Sequence, residues 1–455
     1  MQFIENRTYD ELAVGERAVS VRPIDAHDLE LFALLSGEPS AGGAAATVLE
    51  PGAWGGALVS RLISADLPGP GAVHRELALD FRGPVRLGDT LTTTLVVREK
   101  GENGRVVLDC LCSNQDGETI VSGVAEVIAP SQKVRRPRVL TPDVHVRPQG
   151  SGHDRVLSAS RGLPSIRTAV VHPVDEASLA GALDAARDGM IGPLLVGPRA
   201  RIEAAAAKAG LDLSGLEIVD VPHSHAAADR AVELVREGRV EAIMKGALHT
   251  DELMGAVMKS DGGLRTERRV SHVFVLDVPT YPKPLMITDA AINIYPTLED
   301  KRDIVQNAID LCHALGLAAP KVALLSAVET VYPKIASTVE AAALCKMADR
   351  GQITGGLLDG PLAFDNAVSK AAAEAKHIVS AVAGDADVLV APDLEAGNMI
   401  AKQLIYLAGA EAAGLVLGAR VPIMLTSRSD GARARVVSCA LAQLFVQYRL
   451  KAPPK

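Results

Sequence analysis

What most constrains the fold of this 455-residue chain is a long alternation that begins after residue 163. Short apolar runs alternate with Ala-rich stretches of helical spacing. The runs are Pro193–Val196, Glu217–Val221, Val240–Met244, His272–Leu276, Pro284–Thr288, Val322–Leu325, Gly355–Leu358, Asp387–Val390 and Val421–Leu425. Apolar runs of this length separated by helices are strands covered on both faces, so the region 164–455 is expected to be an α/β domain with a largely parallel sheet. At nearly 300 residues it exceeds what one compact core comfortably holds, which predicts two lobes with a cleft between them.

The first 130 residues follow another period. Asp25 can cap a short helix, with Asp28 in its first turn and Gly37 as its stop. Trp54, Leu58, Leu62 and Ala65 recur at helical spacing and predict one central buried helix. After Pro68-Gly69-Pro70-Gly71 the pattern turns to alternation through Val73–Phe81, Thr90–Arg98, Arg105–Asn114 and Thr119–Ile128, punctuated by turn residues. The expectation for 1–130 is an antiparallel α+β unit wrapped on a helix. Residues 131–163 are rich in Pro, Arg, Ser, Gly and His without periodicity and read as a linker.

Both parts are mildly acidic, for a net charge of −8, which excludes the basic footprint of a nucleic-acid binder. The five cysteines offer no CxxC pair and no disulfide framework, and no zinc or other metal site is expected from them. Charged residues interrupt each apolar segment before it is long enough to span a bilayer, so no membrane partner is expected and the chain is read as cytoplasmic.

In parallel α/β sheets ligands bind beyond the carboxyl ends of strands, and here those ends are polar. VPIML runs into Thr426-Ser427-Arg428-Ser429-Asp430-Gly431 before a helical pattern. Ser427 and Arg428 would therefore meet an anion at a helix N-terminus, or Asp430 caps the helix and Arg428 faces solvent. Lys245, His249 and Thr250 follow another strand, Asn293 a third, Asp359 and Asp365 a fourth, and Asn398 a fifth. Together they predict a cleft lined with donors and carboxylates for a charged substrate. No GxxxxGK[ST], GxGxxG or GxSxG motif occurs, which argues against nucleotide kinase, ordinary dinucleotide and serine-hydrolase readings.

The segments MKGALHTD (244–251), SHVFVLDVP (271–279), ITDAAINIYPT (287–297), DGPLAFDNAVS (359–369), APDLEAGNMIAKQL (391–404) and LTSRSD (425–430) resemble the phosphate acetyltransferase / phosphate butyryltransferase family. The resemblance implies a two-lobed fold shaped like isocitrate and isopropylmalate dehydrogenases. It also implies direct interconversion of acyl-CoA plus phosphate with acyl phosphate plus CoA. Coenzyme A is then a substrate, and no covalently bound cofactor or metal is needed. Arg428 and Ser427 become the phosphate site, and Lys245, His249 and Thr250 hold phosphate or the CoA tail; His249 could equally be a core histidine donating to a backbone carbonyl. Asn293, Asp359, Asp365 and Asn398 match cleft-lining positions. The family's acetyl-type pattern carries an Asp where this chain has Ala434, and Asp430 is the substitute base. A homodimer or higher homo-oligomer is also implied.

RTYDELAVGE, DLELFALLSGEPS, WGGALVSRLISADLPGPG and LDFRGPVRLGDTL resemble the MaoC-like hot-dog hydratases. In that family an Asp and a His five residues later activate water for addition to an enoyl-CoA. Here Glu38 and Gly43 stand at those positions. Glycine cannot move a proton, so the unit is expected to bind acyl-CoA or assist dimerisation with weak or lost hydratase activity. A truly bifunctional enzyme, a metal-dependent dehydrogenase of similar shape and a non-catalytic acyl-CoA-binding scaffold remain the alternatives.

Overall fold

The structure, a computed structural model, describes residues 3–36, 48–49, 53–137, 152–425 and 431–451. The chain divides into two compact units, Met1–Pro148 and Gln149–Lys455.

The first unit is a five-stranded antiparallel sheet in the order Arg17–Pro23, Thr90–Lys100, Arg105–Ser113, Thr119–Ile128, Val73–Phe81. Buried and part-exposed positions alternate along Thr90–Lys100, so Leu91, Thr93, Leu95 and Val97 share the covered face. Helix Ala53–Ala65 lies on that face. Its Val59, Leu62 and Ile63 are fully buried against Leu95, Val106, Leu108 and Val127. The helix wrapped by a meander is the arrangement that the hot-dog resemblance implies. Helix Ala26–Ser36 is capped reciprocally, Asp28 N–H donating to Asp25 Oδ1 at 2.9 Å and Asp25 N–H to Asp28 Oδ2 at 3.3 Å. Cys110 and Cys112 are buried in one strand; burial pushes the Cys110 thiol up to about 12.

Among the described residues of 131–163, which composition marks as linker, two stretches take regular structure. Arg135–Pro137 pairs antiparallel with Phe3–Glu5. Helix Gly152–Ser160 belongs to the second unit and buries His153, Val156 and Ser160.

The second unit holds an eleven-stranded sheet rather than nine strands. Five strands, Ile218–Asp220, Ile191–Gly197, Ile166–Val171, Ala242–Lys245 and Ile423–Met424, lie side by side in parallel. Four others, Leu285–Thr288, Val388–Val390, Lys321–Leu325 and Leu357–Leu362, are likewise parallel among themselves. Between the two sets run Glu411–Leu417 and Ser271–Asp277, antiparallel to each other and to both neighbours, so the two parallel sets point in opposite directions. The last helix, Ala432–Lys451, packs beneath the junction, with Val437 through Val446 all buried. Over that stretch the helix is covered all round.

In the first set the chain winds outward from Ile166–Val171 to Ile191–Gly197 and Ile218–Asp220, then returns to Ala242–Lys245 on the other side of its starting strand. Such a reversal leaves a crevice at the carboxyl ends of the two strands that flank it. Among the described residues, no helix is long and apolar enough to cross a membrane.

Candidate functional site

The crevice is bordered by residue 172 on one strand and by Lys245–Thr250 on the other. The turn is docked tightly. Gly246 N–H donates to Val171 O and Ala247 N–H to His172 O, both at 2.9 Å. A Cβ on Gly246 would stand 2.5 Å from Val171 O, so only glycine fits. Lys245 is buried, whereas His249 and Thr250 are exposed at the start of helix Thr250–Val257. His249 is thus not a core histidine. The helix start is already occupied by acidic groups, Asp251 and Glu252. The Ser224 hydroxyl, then His225, hold the Glu252 carboxyl below its ordinary range. His225 Nδ1 stands 3.5 Å from Glu252 Oε2.

Met244 and Met424 are register partners, so the chain leaves the sheet toward 426–430 at the level of Lys245. Ser427, Arg428 and Asp430 themselves lie outside the described residues, as do Glu38 and Gly43.

Asn293 and Asn398 gather around a loop that follows Leu285–Thr288. Buried Asp289 accepts hydrogen bonds from the backbone N–H groups of Ala291, Ile292 and Asn293 at 2.9–3.1 Å and from Asn293 Nδ2 at 2.5 Å. Burial raises the Asp289 carboxyl, and those donors pull it partly back. Asn293 Nδ2 also donates to Val270 O, and Asn293 Oδ1 accepts from Arg269 Nε at 2.6 Å. With both amide hydrogens and its oxygen engaged, Asn293 shapes the loop from inside. Asn398 Nδ2 donates to Ala290 O at 3.0 Å and ties helix Leu394–Tyr406 to the same loop. Ile292 packs on the apolar cluster that contains Leu248, Leu253 and Leu425, linking this loop to the first set of strands.

Asp359 and Asp365 keep other company. Asp359 Oδ1 accepts from Gly360 N–H at 2.8 Å. It lines a hollow of about 330 Å³ with Asp349, Leu357 and Val379, which none of the other candidate residues lines. Asp365 is exposed and pairs with Lys376 at 3.3 Å. The backbone of Asn366 holds its carboxyl low, with Lys376 adding to the effect.

Three histidines that the strand-end reading passed over are buried in this unit. His172 stands at the crevice. His272, at the centre of the antiparallel junction, is driven down to about 4 by burial alone and is neutral at physiological pH; its Nδ1 has no partner among the described residues. Its ring lies over Gly414, where a Cβ would come within 2.9 Å of Nε2. His153, in the stretch read as linker, brings a ring nitrogen together with carboxylate oxygens of Asp277 and Glu411, all within 4.8 Å. Arg433 already meets Glu411 at 3.0 Å and Asp154 at 2.6 Å, so local charge there is supplied by a guanidinium. Burial raises the thiols of Cys312, Cys345 and Cys439, which fits structural roles.

A doubly wound sheet with a polar crevice at its reversal defines an α/β protein built to bind an anionic, hydrogen-bonding ligand. Residues 223–443 match the family model described as phosphate acetyl/butaryl transferase. The phosphate acetyltransferase of Rhizobium meliloti is 64% identical over 301 residues, 66% of this chain and 95% of that protein. A branched-chain phosphotransacylase from Enterococcus faecalis V583 is similar in structure, with TM-score 0.55 and 30% identity over 62% of this chain and 99% of that chain. An R-hydratase from Pseudomonas aeruginosa is 34% identical over 32% of this chain and 99% of that chain, with TM-score 0.31. The chain belongs to the phosphate acetyl/butyryltransferase family.

Proposed function

We propose that this enzyme transfers an acyl group directly between coenzyme A and phosphate within one ternary complex. The observation that carries the reading is the 64% identity spanning 95% of a phosphate acetyltransferase. The crevice supports it, because acyl transfer needs an anion site, a group for the thiol proton and donors for the oxyanion. Ser427 and Arg428 hold the phosphate, and Asp430 takes the thiol proton. Lys245, His249 and Thr250 border the phosphate and the coenzyme from the neighbouring strand. Asn293 and Asn398 shape the opposite wall, Asp359 and Asp365 stand apart from it, and the unit closes as two lobes in the manner of isocitrate dehydrogenase.

The first unit binds acyl-CoA and has lost most of its hydratase activity, since Glu38 and Gly43 replace the acid and the imidazole. It also supplies a homodimer contact. Val73–Phe81 is an edge strand whose Leu77 and Phe81 share one face and are both exposed. An edge strand with exposed apolar side chains beyond its charged His74–Glu76 segment invites a second strand.

The test is a thioester assay from acetyl, propionyl and butyryl phosphates with a crotonyl-CoA hydration assay on the same sample. Arg428→Ala is expected to abolish thioester formation with the far-UV spectrum unchanged, and hydration is expected to be at least about 100-fold below that of an intact site. Full activity in the Arg428 variant would remove the phosphate-site assignment.

A further inference from the structure

His172 ends the strand Ile166–Val171 at the reversal of the sheet, directly opposite the Lys245–Thr250 turn. Its φ is +54°, in the left-handed region, although Pro173 follows it. The backbone there is fully engaged: His172 N–H donates to Val196 O at 2.7 Å, and His172 O accepts from Val174 and Ala247, each at 2.9 Å. Strain of this kind in a satisfied backbone marks a side chain held for a purpose.

The imidazole is 4% exposed. Nδ1 stands 3.0 Å from Ala247 O. A carbonyl only accepts, so Nδ1 carries the hydrogen, and in the imidazole form the lone pair is then on Nε2. Nε2 is enclosed and has no partner among the described residues. Buried acceptors are normally bonded, so an enclosed Nε2 with no described partner beside the Lys245–Thr250 turn is a place where a ligand's donor would be matched.

We propose that His172 is a coenzyme-binding residue of the transfer site, its Nε2 accepting a hydrogen bond from the thiol-bearing arm of coenzyme A. This rests on the transacylase reading above. The chemistry of the two substrates selects between them. Acyl phosphate and phosphate dianion present oxygens that accept, and a lone pair facing them is repulsive. The coenzyme arm presents a thiol hydrogen and amide N–H groups, which an imidazole acceptor in an enclosed site matches.

The experiment uses the full chain labelled with ¹⁵N-histidine. Coenzyme A is expected to shift the Nε2 resonance of His172, and inorganic phosphate is expected to leave it in place. Desulfo-coenzyme A separates the two donors: a shift that persists assigns an amide, and one that vanishes assigns the thiol. In kinetics, His172→Asn keeps a residue that tolerates positive φ and an amide donor toward Ala247 O but lacks Nε2. It is expected to raise KM for coenzyme A about tenfold while KM for acetyl phosphate stays within about twofold. A resonance that ignores the coenzyme, or two KM values that move together, overturns the proposal. If the Asn variant does not fold, the resonance of the unmodified chain decides alone. A wild-type chain that shifts with the coenzyme but forms no thioester would refute the transfer reading and leave this one standing.

Discussion

At the scale of single residues, burial by itself sets the protonation of His272. His272 has no ionic partner to account for its displacement from 6.5 to about 4; desolvation is the sole cause. Its folded value lies below its ordinary one, so the stability it contributes is complete above pH 6.5 and is lost as pH falls toward 4. That gap is worth roughly 3 kcal/mol. His272→Gln removes the titration while keeping a polar side chain. Urea unfolding between pH 7 and pH 4 should therefore show a loss of stability shallower by roughly 3 kcal/mol in the variant than in the wild type. Equal slopes would mean that other groups govern acid unfolding. Asp289 shows the opposite sense: burial raises its carboxyl, and the four donors around it restrain the rise without reversing it.

At the scale of elements, close packing between strand ends fixes the crevice. Replacing Gly246 by alanine would press a methyl group onto the carbonyl oxygens of Val171 and His172, which are backbone atoms and cannot swing aside. Gly246→Ala should cost about 2 kcal/mol, visible as a lower urea midpoint, and should raise KM as the Lys245–Thr250 turn shifts. A variant with unchanged midpoint and KM would show that the turn is free to relax. All four alternating runs of the first unit were legible as strands, because period-two patterning sustained over nine or more residues fits a half-buried strand and does not fit a helix. Two strands of the second unit were not. Ile166–Val171 directly follows Gly162-Leu163-Pro164-Ser165 and merges with the aperiodic stretch they close, and Glu411–Leu417 reads EAAGLVL, whose Ala and Gly continue the preceding helical composition. Missing the first of these concealed His172 as a strand-end residue. The opposed direction of the two parallel sets was also hidden, since hydrophobic period carries no information on strand direction. Of the candidate residues, Lys245 ends a strand, Asn293 stands on the loop beyond another, and Asn398 lies inside helix Leu394–Tyr406 rather than in the loop before it. Asp359 and Asp365 engage partners of their own, which strand-end position alone could not reveal.

At the scale of the molecule, a first unit that has lost its hydratase pair, as proposed, would remain useful if it holds two copies together. The strand Val73–Phe81 pairs on one side with Thr119–Ile128 and on the other side with no described strand. Natural edges are protected by lysine, proline, bulges or covering segments. This one carries a bulge between His74 and Glu76 but no lysine or proline, and it leaves Leu77 and Phe81 exposed beyond the bulge. Two copies aligned antiparallel along this edge would join their sheets and bury those side chains against each other. A charge at Leu77 would then face its own copy, and like charges across a strand pair repel. Leu77→Lys should weaken the dimer at least about tenfold, seen as a monomer peak in light scattering at low micromolar concentration. Thioester formation should continue, because the crevice at His172 and Lys245 lies wholly within the second unit. A variant that stays dimeric would move the contact elsewhere on the chain, and one that becomes monomeric and inactive would tie the transfer site to assembly.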